Sequence, residues 1–78
     1  MAESESRARP LLYSHPECDY STMLKEELAA DGARFDEIDL SANPEHWDEV
    51  VRLSGGERIT PVLLAVDGTV EVGYHGVG

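Results

Sequence analysis

The residue best equipped for chemistry is Cys18, the single cysteine of this 78-residue chain. It falls between a short apolar run, Pro10-Leu11-Leu12-Tyr13, and a segment of helical periodicity. In that segment Met23, Leu24 and Leu28 recur while Lys25, Glu26 and Glu27 face away. Pro16 biases His15 out of the helical region, so Ser14-His15-Pro16-Glu17 reads as a turn. The thiol therefore lands where a strand ends and a helix begins. Unpaired N–H groups and the helix dipole favour an anion there, which for cysteine is the nucleophilic thiolate. A free cysteine is commonly a small buried hydrophobe, but a junction flanked by Glu17 and Asp19 is no place for a core residue. Those two carboxylates are expected to raise the thiol pKa, against the helix-end effect. A protonated His15 would partly offset them, although His15 serves equally well as an ordinary turn residue. Ser21, about one helical turn beyond Cys18, can point at the sulfur and donate a hydroxyl to a thiolate. It can equally lie on the helix surface or bond the backbone of the first turn.

Taken together, Tyr13-Ser14-His15-Pro16-x-Cys18-x-Tyr20-Ser21 between a strand and a helix resembles the active-site segment of glutaredoxins, which usually reads Pro-x-Cys-Pro-Tyr-Cys. Ser21 stands where the second cysteine would be, so the likeness is to a monothiol form. It is most like the small Uxx-star glutaredoxin-like group, with Cys or selenocysteine first, Ser or Thr third after it, and a Gly-aromatic-x-Gly close. The likeness runs from about Pro10 to Gly76.

The resemblance implies a role for each matching position. Cys18 would be the nucleophile, and Tyr20 would border it and pack against bound substrate, unless it is plain hydrophobic cover. Ile59-Thr60-Pro61 matches the junction at which glutaredoxins carry a cis-proline facing the cysteine, with the main chain of Thr60 offered to an extended substrate. Gly73-Tyr74-His75-Gly76 stands where many glutaredoxins have two glycines followed by acidic residues that hold the amino end of glutathione; the carboxylates are missing here. Arg58 and Arg52 are, by position, the cations available to a glutathione carboxylate. The implied activity is thiol–disulfide exchange or deglutathionylation, with glutathione as co-substrate, glutathione or a protein thiol or disulfide as partner, and no metal. Two rivals keep the fold and change the function. One is a binding module that has lost the activity. The other is a dimer bridging an iron–sulfur cluster through Cys18, whose known relatives carry Cys-Gly-Phe-Ser where this chain has the bulkier, charged Asp19-Tyr20.

Composition narrows the partners. A net charge of −10 argues against nucleic acid and against anionic membrane surfaces. It serves solubility, or else a field that selects a basic protein. One cysteine makes no internal disulfide, no apolar run approaches the roughly 20 residues of a membrane span, and the first eight residues lack the apolar segment of a signal peptide. A reducing, cytoplasmic location is the expectation. His15, Cys18, His46 and His75 do not have zinc-finger spacing, and Gly55-Gly56 lacks the rest of a phosphate loop.

The elements that must position these residues read as follows. Residues 1–8 form a solvated tail, and residues 9–78 one small domain. A strand at about 10–14 and a helix at about 19–31 are followed by Arg34 to Leu40, a second strand of imperfect alternation with Phe35, Ile38 and Leu40 set against charged neighbours. A helix over 44–54 follows, with Ser41 and Asn43 as cap candidates, Pro44 in the first turn, Trp47, Val50, Val51 and Leu53 as the buried stripe, and Gly55-Gly56 as the stop. Pro61 to Val66 reads as a central strand. Asp67-Gly68 is the strongest hairpin signal, returning an edge strand over 69–74. The order βαβαββ is that of the thioredoxin-like α/β fold, a mixed four-stranded sheet with two main helices. The third helix of glutaredoxins is expected to be absent or truncated. That would leave one sheet face partly bare, so a monomer or weak homodimer is expected.

Overall fold

The computed structural model describes residues 9–74. The expected tail at 1–8, and His75 and Gly76 of the closing motif, lie outside them. The chain forms β1 (Leu11–Ser14), α1 (Asp19–Ala30), β2 (Asp36–Asp39), a 3₁₀ turn at Pro44–His46 that runs into α2 (Trp47–Leu53), β3 (Val62–Leu64) and β4 (Val70–Val72). The four strands make one sheet in the order β2-β1-β3-β4. β1 runs parallel to β2, with Leu11 opposite Asp36 and Ser14 opposite Asp39, while β3 is antiparallel to both β1 and β4. This is the mixed βαβαββ sheet expected from the sequence.

Alternation along β1 explains how the sheet takes a helix on each face. Tyr13 points into a buried cluster with Leu40, Val50 and Val62, against which Ile38, Trp47, Leu53, Val70 and Val72 pack. α2 therefore closes that side. Leu12 and Ser14 point the other way and are buried, as are Ser21 and Leu24 of α1. Glu37, opposite Leu12 in β2, ties α1 to this side: its carboxylate accepts the Ser14 hydroxyl and the Lys25 ammonium, the latter at 3.0 Å.

Local chemistry sets the ends. α1 stops where Gly32, at φ +73°, lets Ala33 N–H reach the Leu28 carbonyl at 2.9 Å and Gly32 N–H reach that of Ala29 at 3.1 Å. The hairpin closes through Gly68 N–H on the Ala65 carbonyl at 3.0 Å, with Gly68 at φ +94° and the Asp67 carboxylate accepting Thr69 N–H.

Three expectations are corrected. The helix expected over 44–54 is a 3₁₀ turn followed by seven α residues, because Pro44 brings no N–H and the chain enters through tighter bonds such as His46 N–H to the Asn43 carbonyl. Of the two cap candidates, Asn43 takes the N-cap position, but its side chain donates to the Asp39 carbonyl instead of closing the turn. Ser41 donates to the Asp39 carboxylate. Met23 is exposed rather than part of the buried stripe, since Ser21 takes the place beneath the helix. β2 and β4 form the two edges of the sheet, and β2 carries Asp36, Glu37 and Asp39 along that edge.

Candidate functional site

Cys18 occupies the N-cap of α1. Its backbone is extended (φ −97°, ψ 111°), and its carbonyl already accepts Thr22 N–H at 3.3 Å. The turn before it is closed by Cys18 N–H on the His15 carbonyl at 3.0 Å. The side chain is half-buried, and Sγ donates to the carbonyl of Thr60 at 3.4 Å. Thr60 is buried and its peptide bond to Pro61 is cis. Two segments far apart in sequence, the turn–helix junction and the Thr-Pro junction, thus meet at one sulfur. Pro61 is in turn braced by Gly73, whose N–H donates to the Pro61 carbonyl at 2.7 Å.

Burial pushes the Cys18 thiol up, but hydrogen bonds from the side chains of Thr60 and Ser21, and from the backbone at Ser21 and Tyr20, outweigh it and leave the pKa below its ordinary value. The Thr60 carbonyl works the other way, because it accepts the proton of the neutral thiol. The raising effect expected of Glu17 and Asp19 does not prevail: both side chains are exposed, and the hydrogen bonds on the sulfur leave its pKa lowered. The alkylation rate of Cys18 is accordingly expected to reach half its maximum at a lower pH than that of free cysteine, and Ser21→Ala to move the midpoint upward; iodoacetamide kinetics against pH read both. The sign for stability follows. An acid whose folded pKa lies below its unfolded one stabilises the fold above the unfolded pKa, and loses that contribution as pH falls through the folded pKa. Denaturation of wild type and Cys18→Ser across that window checks it.

Ser21 is fully buried, and its Oγ accepts His15 N–H at 3.3 Å. It lies beneath the turn rather than on the helix surface. His15 Nδ1 accepts Glu17 N–H at 3.1 Å, so this imidazole nitrogen is occupied within the turn. The His15 ring lies 6.3 Å from that of Trp47, and the Arg58 guanidinium lies 4.2 Å over the same indole. Arg58 is therefore held near the site on an aromatic face, whereas Arg52 is paired with Glu49 at 2.7 Å on α2. Tyr20 and Tyr74 stack at 6.4 Å, and the Tyr74 hydroxyl donates to Glu27 at 2.7 Å.

Of the residues singled out in the sequence, Cys18, Ser21, His15, Thr60, Pro61 and Gly73 are linked by direct bonds around the thiol. Tyr20 and Tyr74 form a pair beside it, and Arg58 joins through Trp47. In the sequence Trp47 and Glu27 read only as helix-stripe and helix-surface residues. Nothing local marks them otherwise, because their partners are remote in the chain. Tyr74 is pushed above the ordinary tyrosine range by its bond to Glu27, then by burial and the carboxylate charge. Tyr74→Phe should remove from the tyrosinate absorbance titration a component that lies above the ordinary tyrosine range. Among the described residues, no group of three or more His, Cys, Asp or Glu side chains converges on a point that would hold a metal ion. No helix among them is long and apolar enough to cross a membrane.

The family model described as glutaredoxin matches residues 11–70. A glutaredoxin of Archaeoglobus fulgidus is similar in structure, with a TM-score of 0.74 and 22% identity over 95% of this chain and 84% of that one. Wheat glutaredoxin gives 0.73 and 22% over 95% and 69%. A glutaredoxin of Brucella melitensis gives 0.60 and 37% over 76% and 63%. No curated protein sequence matches at a significant level.

Proposed function

The chain belongs to the glutaredoxin family, and on that premise we propose that it is a monothiol oxidoreductase that removes glutathione from oxidised protein thiols through Cys18. The observation that carries this reading is the half-buried Sγ at the mouth of α1, 3.4 Å from the carbonyl that precedes Pro61. Within the family, Cys18-x-x-Ser21 and Gly73-Tyr74-x-Gly76 favour the Uxx-star group.

The Cys18 thiolate attacks the glutathione sulfur of a protein–glutathione mixed disulfide. That S–S bond breaks, a Cys18–glutathione disulfide forms, and the protein leaves as a thiolate that takes a proton from water. A second glutathione, as thiolate, attacks the Cys18–glutathione disulfide; oxidised glutathione departs and the Cys18 thiolate is restored. The net change reduces one protein–glutathione disulfide at the expense of one glutathione thiol. The Ser21 and Thr60 side chains hold the Cys18 thiolate charge before the first step and after the second. The main chain at Thr60-Pro61 runs beside the substrate backbone, Gly73 keeps Pro61 in place, and Tyr20 and Tyr74 flank the bound sulfur. His15 and Arg58, joined through Trp47, give the opposite wall a cation for a glutathione carboxylate. A single unpaired thiol suits a reducing cytoplasm, and the net charge of −10 suits neither nucleic acid nor an anionic membrane. The working form is a monomer or weak homodimer.

Incubation with oxidised glutathione is expected to add the mass of one glutathionyl group at Cys18, reversibly by reductant, with turnover in a thiol-transfer assay. No adduct, together with a titrated thiol pKa at or above the free value, would overturn the reading.

A further inference from the structure

α1 carries an apolar stripe beside the thiol. Tyr20 and Met23 are 37% and 43% exposed, and residues three apart share a helix face. Tyr74 enlarges the stripe by stacking on Tyr20. Its surroundings are one-signed: Glu17, Asp19 and Glu26 are exposed. The cation of the helix, Lys25, is turned to Glu37 at 3.0 Å, and Arg58 lies over Trp47. An apolar strip two residues from the sulfur is therefore rimmed by carboxylates, on a chain of net charge −10.

We propose that this strip docks the polypeptide half of the mixed disulfide, and that this half is a segment with Lys or Arg next to its oxidised cysteine. Such a side chain lays its aliphatic stem along the Tyr20 and Tyr74 rings and its charged head toward Glu17 and Asp19. The same charge pattern raises the encounter rate of basic segments and lowers that of acidic ones. The missing acidic pair after Gly73 fits this arrangement, because the polypeptide then supplies recognition that glutathione alone would otherwise supply. The inference rests on the exchange reading of Cys18 and narrows its substrate class.

Two peptides of one sequence, each carrying a glutathionylated cysteine, one flanked by Lys and one by Glu, provide the test. At low salt the Lys peptide should release its glutathione about tenfold faster, and the ratio should fall toward one at about 0.5 M salt. Glu17→Gln with Asp19→Asn should also bring the ratio near one. Asp31→Asn with Asp36→Asn, which removes the same charge at the far end of α1 and β2, should leave it high. Equal release of both peptides by the wild type overturns the docking surface and leaves the exchange reading standing. A ratio that falls alike in both double variants assigns the preference to net charge and overturns the local surface. Release of neither peptide overturns both.

Discussion

Cys18→Ser is expected to stop glutathione release by roughly a thousandfold or more, with the fold intact. A serine hydroxyl at this N-cap is as small as the thiol and finds the same Thr60 carbonyl, so Tm should hardly move. What disappears is the atom able to form a disulfide, and the sequence holds no second cysteine to replace it. The measurement pairs a transfer assay with a melting curve. Because a binding module would keep its partner after this substitution, partner capture by the variant separates the two readings. Residual exchange near the wild-type rate would sink the assignment of Cys18 as nucleophile. Loss of exchange with a collapsed melting curve would mean that the thiol had been a packing residue.

Leu40→Ala should cost about 2–5 kcal/mol, a large share of the stability of a domain this small. Leu40 is fully buried with Tyr13, Val50 and Val62, and its N–H is fixed on the Ser14 carbonyl at 2.9 Å, so the site has little freedom to collapse around the missing methyls. The substitution lies one residue past β2 and removes none of the bonds that meet at the sulfur. Urea denaturation should show a reduced midpoint at unchanged slope, while the transfer rate of the remaining folded fraction stays near wild type. A loss below about 0.5 kcal/mol, the level of an ordinary surface change, would place the core elsewhere.

Short-range chemistry made much of this molecule legible in advance. Gly32 and Gly55-Gly56 mark real helix ends, Asp67-Gly68 makes the hairpin, and Pro10 to Ser14 gives the inner strand that delivers the thiol. What eluded the sequence depends on partners far along the chain. Met23 has the apolar period of a buried residue, yet Ser21 takes the buried place because His15 N–H needs an acceptor under the turn. Glu17 and Asp19 look decisive beside Cys18, but their exposure leaves the thiol to burial and to donors at Ser21 and Thr60. Arg58 could be nominated as a cation by position alone; that it rests on Trp47 follows from α2 meeting the loop before β3. The expected strands at 61–66 and 69–74 shorten to 62–64 and 70–72, since ladder bonds, not apolar character, decide where pairing ends.

The outer border of β2 has a consequence for handling the protein in acid. Asp36, Glu37 and Asp39 line a strand whose far side has no neighbour in the sheet among the described residues. Such a row of free amides and carbonyls can recruit another strand. Repulsion between two like-charged borders opposes it at neutral pH. Asp39, kept below the usual carboxylate range by the Ser41 hydroxyl and N–H, holds its charge further into acid. Toward the isoelectric point near pH 4.4 the barrier fades. Light scattering should then rise steeply and clear on return to neutrality, marking strand-to-strand sticking governed by proton concentration.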